Sequence, residues 1–213
     1  MARALLANGA VANLQDNDGQ TALHYAAANG HLEVANALLA YGANANLQDK
    51  SGRTALMDAA FEGYLNVANA LIANGASVNL QDKSGRTALQ WAADSGHLSV
   101  VNALLANGAS VNLQDNDGQT ALQWAADYGH LSVVNALLAN GASVNLQDND
   151  GQTALHYAAT NGHVVVANAL LANGADVTMQ DNEGNNPFHY AIKYVTPNQR
   201  SKRNRSEDGD DEA

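Results

Sequence analysis

Short apolar faces with helical spacing recur along the chain. Leu122, Ala125 and Ala126 fall at positions i, i+3 and i+4, which places them on one face of a helix. After the letters YGH, a second helical face is formed by Val133, Val134, Leu137 and Leu138. Asn140-Gly141 follows, a pair typical of a helix end at which glycine takes the left-handed conformation. The pattern therefore predicts two short helices joined by a tight turn.

A polar segment separates each helix pair from the next. Its letters, ASVNLQDNDGQ, are rich in turn-forming residues and too polar to be buried. We expect an extended loop here, with a tight turn at the Asp-Gly pair, for example Asp117-Gly118.

The whole pattern returns every 33 residues. The same glycine occurs as Gly19, Gly52, Gly85, Gly118, Gly151 and Gly184, and an aspartate keeps the same step as Asp16, Asp49, Asp82, Asp115, Asp148 and Asp181. A period of this length, kept six times, indicates a solenoid in which each unit packs only on its neighbours.

The repeated letters resemble the ankyrin repeat family. TALHYAA begins at Thr21 and Thr153, NPFHYAI begins at Asn186, and GHLSVVNALLANGA supplies the second half of the motif. Alanine replaces the usual proline after the threonine, and the usual histidine is replaced at Met57, Gln90 and Gln123. The resemblance covers residues 1 to about 192. It implies an all-α solenoid of helix–turn–helix units with protruding hairpin-like loops, and non-catalytic recognition of a partner protein.

The period also sets the expected boundaries. We predict an N-terminal half repeat at 1–15, full repeats at 16–48, 49–81, 82–114, 115–147 and 148–180, a C-terminal half repeat at 181–196, and a disordered charged tail at 197–213.

The charge is uneven and mostly negative. The chain has 213 residues and a formal charge of −11, and residues 1–192 carry all of it, with five Lys or Arg against sixteen Asp or Glu. Such a body repels phosphate backbones, so we expect a protein partner with a basic or polar surface and no nucleic acid.

Neither a membrane span nor a secretion signal is predicted. The start reaches a turn at Asn8-Gly9 too soon for a signal peptide, and the longest apolar stretch is far below the ~20 residues of a spanning helix. We therefore expect an intracellular, cytoplasmic protein with no membrane insertion. A weak basic cluster, Lys202, Arg203 and Arg205, leaves a nuclear location open.

The candidate chemistry favours structure over catalysis. The chain has no cysteine, and its seven histidines fall at two repeated positions, as expected for turn contacts. The letters DNDG at Asp16, Asp115 and Asp148 resemble the start of a calcium loop, but the bidentate glutamate is missing, so a solvated turn is favoured. We predict no enzyme, no cofactor and no metal site.

An aromatic column runs along the first helices. Tyr25, Trp91, Trp124, Tyr157 and Tyr190 share one repeat position, which only Asp58 interrupts. Phe61 and Tyr128 follow three and four residues after this position and extend the same stripe. The column either contacts a partner or packs between repeats, whereas Phe61 and Tyr128 favour binding because their equivalents are small or polar.

Two neighbouring repeats are nearly identical. Residues 84–115 and 117–148 differ only where Ser84 becomes Asp117, Arg86 becomes Gln119 and Ser95 becomes Tyr128. A constant scaffold with variable outer positions is typical of a binding surface. The predicted partner-binding residues are Tyr25, Asp58, Phe61, Glu62, Trp91, Asp94, Ser95, Trp124, Asp127, Tyr128, Tyr157, Thr160 and Asn161 on the helices, and Lys50, Arg53, Lys83, Arg86, Asp117, Gln119, Asp150 and Gln152 near the loop tips.

Two alternative functions stay open. The array could be the targeting arm of a larger enzyme, or a structural assembly protein that associates through its ends, where Leu5, Leu6, Phe188 and Ile192 are expected to lack cover. A monomer is favoured over such self-association. The resemblance further implies that Asn79, Asn112 and Asn145 stand where family members can be hydroxylated, and they are candidate substrates, although serine stands two residues before each, where the family usually has an acid.

Overall fold

The computed structural model describes residues 1–195, and within that range it contains twelve α-helices and no strand. In chain order these are α1 Ala2–Ala7, α2 Ala22–Ala28, α3 Leu32–Ala40, α4 Ala55–Glu62, α5 Leu65–Ala73, α6 Ala88–Asp94, α7 Leu98–Ala106, α8 Ala121–Asp127, α9 Leu131–Ala139, α10 Ala154–Thr160, α11 Val164–Ala172 and α12 Pro187–Val195. The tail predicted to be disordered, 197–213, lies outside the described residues.

The helices stack in two layers. The even-numbered helices pack on one another in sequence, and the odd-numbered helices do the same. Within a repeat, the two helices contact each other across a short turn, as α8 and α9 do. This confirms the predicted all-α helix–turn–helix solenoid. Every helix between residues 1 and 195 falls short of the length and apolarity that a bilayer crossing requires.

The core is built mainly from small and branched aliphatic side chains. Ala125 and Ala126 on α8 are fully buried, as are Val133, Val134 and Leu137 on α9. Alanine at the helix contacts lets neighbouring repeats approach closely, while the branched residues fill the space between layers. The core therefore continues from repeat to repeat.

A capping box starts each even-numbered helix from α2 to α10. In α8, the backbone N–H of Thr120 donates to Gln123 Oε1 at 2.7 Å, and the backbone N–H of Gln123 donates to Thr120 Oγ1 at 3.4 Å. These bonds satisfy N–H groups that a helix start leaves unpaired. The repeated threonine thus fixes where each first helix begins.

The loops are held by hydrogen bonds to the next loop. Gln114 Nε2 donates to Gly118 O at 2.6 Å and to Gln147 O at 3.1 Å, so one side chain links two repeats. The Asn149 N–H donates to Asp117 O at 3.0 Å beside the turn. The predicted turn at Asp117-Gly118 is confirmed, and Gly118 has a φ of +78°.

The two ends differ from the expectation in one respect. Leu6 was expected to lack cover, but it is buried because α1 packs on α3. Leu5 is 59% exposed, and Phe188 and Ile192 on α12 are 68% and 47% exposed, as expected for helices with no partner on one side.

Candidate interaction surface

The histidines serve the fold, as predicted. His156 Nδ1 accepts the Thr153 N–H at 3.1 Å, and its Nε2 lies 3.2 Å from the carbonyl oxygen of Asn185 in the next repeat. Burial lowers the pKa of His156, which favours a neutral ring at physiological pH. At the second repeated position, His130 Nε2 lies 2.9 Å from the carbonyl oxygen of Asp94 in the preceding repeat.

The repeated aspartates hold the loops and the aromatic rings. Asp115 Oδ1 accepts the N–H groups of Asp117 and Gln119, and its Oδ2 accepts Trp124 Nε1–H at 2.9 Å. Tyr157 donates to Asp148 in the same way, at 2.6 Å. The DNDG segments are therefore turns, as predicted, but Asp115 and Asp148 are buried in them rather than solvated.

The aromatic column is half-buried between repeats. Trp91, Trp124, Tyr157 and Tyr190 each anchor their polar atom on the aspartate nine residues earlier and keep part of the ring exposed. Tyr25 makes the same contact but is 51% exposed. The rings therefore pack between repeats while their edges reach the surface, and their contact with a partner stays a prediction.

Arg86 lies between two of these rings. Its guanidinium carbon is 3.6 Å from the Trp91 ring centre and 4.1 Å from that of Trp124. Such cation–π contacts stabilise a partly desolvated arginine. Arg86 was expected at a loop tip facing a partner, but it is only 9% exposed, because its side chain folds back into this slot.

Two ion pairs accompany the arginines. Arg53 Nη2 lies 2.8 Å from Asp58 Oδ1, and Arg86 Nη2 lies 2.7 Å from Asp94 Oδ2. Asp58 was expected to face a partner, but it is 6% exposed. Burial raises the pKa of Asp58 to about 6, more than the charge of Arg53 lowers it. Asp58 and Arg86 thus contribute to the array rather than to its exposed surface.

The acid and the ring exchange places between these repeats. On α4 the carboxylate is Asp58 and the ring three residues later is Phe61, whereas on α6 the ring is Trp91 and the carboxylate three residues later is Asp94. One helical turn separates the two positions, so an arginine can reach a carboxylate at either. The two rings meet edge to face, with centroids 5.6 Å apart.

Exposed rings stand at the ends of α4 and α8. Tyr128 is 54% exposed and stacks on Trp124, with centroids 6.5 Å apart and planes 11° apart. Phe61 is 38% exposed and is followed by the exposed Glu62. At equivalent positions, Ser95, Thr160 and Asn161 are half-buried. We call Phe61, Glu62, Ser95, Tyr128 and Asn161 the helix-end row.

The repeat family is shown by family models that together cover the array. A model described as ankyrin repeats in three copies matches residues 1–82 and 71–148, and a model described as ankyrin repeats in many copies matches residues 137–191. The chain belongs to the ankyrin repeat family. Ankyrin repeats are in general non-catalytic protein-interaction modules. No curated protein matches the chain.

The loop tips of this ankyrin array differ in charge, since the second and third tips carry lysines and the tips on either side carry acidic residues. Lys50 and Lys83 are exposed on the second and third tips, whereas Asp117 and Asp150 are exposed on the next two. Behind them, Gln119 Nε2 donates to the hydroxyl of Tyr157 at 2.6 Å, and Gln152 bonds Tyr190 in the same way at 3.1 Å. Arg53 is half-buried against its ring partners. The tips are therefore charged, while the residues behind them form hydrogen bonds or cation–π contacts with the aromatic residues.

Two exposed rings were missed by the sequence analysis. Tyr41 follows the last residue of α3 and is 49% exposed, and Tyr64 precedes the first residue of α5 and is 38% exposed. Tyr41 stands where the later repeats have asparagine, and Tyr64 stands where the other repeats have histidine. Comparison of every repeat column, rather than of the first helices alone, would have identified both.

The candidate hydroxylation asparagines join successive loops of the ankyrin array. Asn112 Nδ2 donates to Gly141 O at 3.3 Å, and its Oδ1 accepts the Ser143 N–H at 2.8 Å. Asn79 and Asn145 make equivalent contacts. Their amides therefore link neighbouring repeats.

Proposed function

We propose that this ankyrin array binds another protein through the helix-end row and the neighbouring loop tips, on the side that is concave in the family. One observation carries the proposal. Tyr128, one of three residues that distinguish two nearly identical repeats, places an exposed ring over Trp124. Large aromatic side chains at an otherwise polar surface are typical anchors of protein interfaces.

The surroundings of Tyr128 suit an anchor. The ring is fixed on one face by Trp124 and lies 6.2 Å from the His130 ring, in near-parallel planes. A ring held in this way loses little conformational entropy on binding, so more of the energy from its burial contributes to affinity. Ser95, at the same position one repeat earlier, offers a partner no comparable apolar area.

The tip charges favour a partner with a matching charge distribution. Successive repeats stack about 10 Å apart, so Lys50 and Lys83 form one short positive stretch, and Asp117 and Asp150 form a negative one. A partner with basic groups opposite the aspartates and Glu62, and acidic or polar groups opposite the lysines, would bind in one orientation. Complementary charges mainly set the association rate and the specificity.

Replacing the anchor should weaken partner binding. We expect Tyr128→Ala to lower the affinity of a concave-face partner by about 2 kcal/mol, because an aromatic hot spot is lost. The partner is first trapped with a photo-crosslinking amino acid at Ser95 and then titrated by calorimetry. Tyr41→Ala, at a similarly exposed tyrosine that follows α3 and lies outside the helix-end row, is the matched control and should bind normally. An unchanged affinity of the partner for the Tyr128→Ala variant would contradict the proposed binding face.

Salt should slow this association. The body carries most of its charge on acidic groups, and screening over about 8 Å at physiological salt weakens their attraction for a basic partner. Stopped-flow measurements from low to high salt should therefore show a falling association rate with a nearly constant dissociation rate. An association rate that does not change with salt would argue against an electrostatic contribution.

A further inference from the structure

We propose that Tyr128 and Asp127 form a receptor for the guanidinium group of a partner's arginine. This inference rests on the proposed function, since it assigns a chemical group to one position of the same face. It derives from the difference between two repeats that are otherwise almost the same.

The third repeat contains its own arginine. There, Arg86 lies over Trp91 and Trp124 and pairs with Asp94 at 2.7 Å. The array thus already shows a guanidinium bound by aromatic rings and a carboxylate at this level of a repeat. Both kinds of contact are available to a planar cation at the same time.

The fourth repeat keeps the carboxylate and lacks the arginine. Asp127 is the counterpart of Asp94, and Gln119 is the counterpart of Arg86. Within residues 1–195, the Asp127 carboxylate has no ion pair, and it accepts one hydrogen bond from Asn161 Nδ2 at 2.6 Å. Burial first and then the charge of Asp94 raise the pKa of Asp127 more than the Asn161 hydrogen bond and the charge of His163 lower it.

The same repeat adds an exposed ring beside this carboxylate. Tyr128 replaces Ser95, follows Asp127 directly and is 54% exposed. Burial and the charges of Asp94 and Asp127 raise the pKa of the Tyr128 hydroxyl more than the charge of Arg86 lowers it. The fourth repeat thus has Gln119 in place of an arginine, and it also has the exposed ring of Tyr128 next to the negative charge of Asp127. In the proposed complex, the partner's cation contacts both groups.

Arginine fits this pair better than lysine does. A planar guanidinium stacks on a ring and donates two parallel hydrogen bonds to a carboxylate, whereas an ammonium group acts as a point charge. Arg86 shows the arginine geometry inside the array, where the ring centre lies 3.6 Å from the guanidinium carbon. The proposed ligand is accordingly an arginine side chain at the surface of a partner protein.

The test uses the full chain and three small probes. N-acetyl-arginine methylamide, its citrulline counterpart and its lysine counterpart are titrated while NMR follows the Trp124 indole and the Tyr128 backbone amide. Citrulline has the shape of arginine without its charge. We expect the arginine probe to bind about 10-fold more tightly than the citrulline probe, since a cation–π contact and an exposed ion pair together contribute about this factor.

Two substitutions that introduce the residues of the third repeat, Gln119→Arg and Tyr128→Ser, make the test more specific. Gln119→Arg should supply an internal guanidinium to Asp127, as Arg86 does to Asp94, and reduce probe binding about 10-fold. Gln119→Ala removes the same bond to Tyr157 without adding a charge, and its binding should stay within about 2-fold of the original. Tyr128→Ser, which restores the Ser95 chemistry, should also weaken the arginine probe. Unchanged thermal unfolding of each variant shows that folding is retained.

Equal binding of the arginine and citrulline probes, or an unaffected Gln119→Arg variant, would overturn the receptor. Equal binding of the lysine probe would overturn the assignment to guanidinium. These probes require no partner protein, so they can fail while Tyr128→Ala still weakens the crosslinked partner. The proposed function would in that case stand without the arginine receptor.

Discussion

Gly118→Ala should lower the free energy of unfolding by about 2–3 kcal/mol. Gly118 has a φ of +78°, where a side chain costs about 1–2 kcal/mol. A Cβ atom there would also lie 2.8 Å from the backbone nitrogen of Asn149, which is too close. The fourth and fifth loops would have to separate and weaken the bond from the Asn149 N–H to Asp117 O, adding about 1 kcal/mol. Urea unfolding followed by circular dichroism measures the loss.

Gly141→Ala is the matched control for this prediction. Gly141 belongs to the same repeat and has a φ of +84°, but a Cβ atom there meets nothing within 4 Å. Only the backbone cost remains, so we expect a loss of about 1–2 kcal/mol, which is about 1 kcal/mol less than that of Gly118→Ala. Equal losses in the two variants would show that contact between the loops adds nothing.

Asp58→Ala should lower the free energy of unfolding by about 3 kcal/mol. The substitution removes the carboxylate that pairs with Arg53 at 2.8 Å and leaves a partly buried guanidinium without its counter-charge. Breaking a buried ion pair from one side costs about 3–5 kcal/mol, and the 27% exposure of the Arg53 side chain places this case at the lower end. Thermal and urea unfolding at pH 7 measure the change.

The neighbouring repeat supplies the compensating change. Asp58→Trp with Phe61→Asp gives the second repeat the order of ring and carboxylate that the third has at Trp91 and Asp94. We expect the double variant to recover most of the stability that either single change loses, because Arg53 regains a carboxylate and a ring. Simply additive losses in a double-mutant cycle would contradict this exchange.

The dependence on pH provides a second readout for Asp58. Its pKa is about 6 in the folded chain and 3.8 in the absence of perturbation, so between these values the folded state binds more protons. Protonation of Asp58 therefore adds an increment of stability that is complete below about pH 4 and is lost as the pH rises through 6, and this increment is separate from the ion-pair contribution that Asp58→Ala removes at pH 7. This part of the slope should disappear in Asp58→Ala.

The 33-residue period predicted the fold well because it reports contacts that every repeat makes. The helix pair around Ala125 and Leu137 and the turn at Asp117-Gly118 follow from local spacing and turn chemistry. The repeated histidines were also interpreted correctly, since a residue at the same place in several units serves the units themselves.

The sequence was less informative about the burial of polar side chains that can extend either into solvent or against a neighbouring repeat. Arg86 stands near a loop tip, yet a guanidinium can fold back between two rings, and the spacing along one chain does not show that slot. Asp58 was misjudged for the same reason, because its partner Arg53 decides its burial. Leu6 depended on how α1 packs against α3. These contacts become evident only when neighbouring repeats are placed side by side.

The glutamine bonds between loops make the length of the array adjustable by mutation. Gln81 Nε2 donates to Gly85 O and Gln114 O, and Gln114 Nε2 donates to Gly118 O and Gln147 O. If recombination removed residues 82–114, Gln81 Nε2 would donate to Gly118 O and Gln147 O as Gln114 Nε2 does now. The glutamine donor at this joint would therefore keep both of its acceptors. A duplication would likewise add a unit that bonds on both sides. Unequal crossing-over within the gene can thus lengthen or shorten the recognition surface by whole repeats while each joint stays intact.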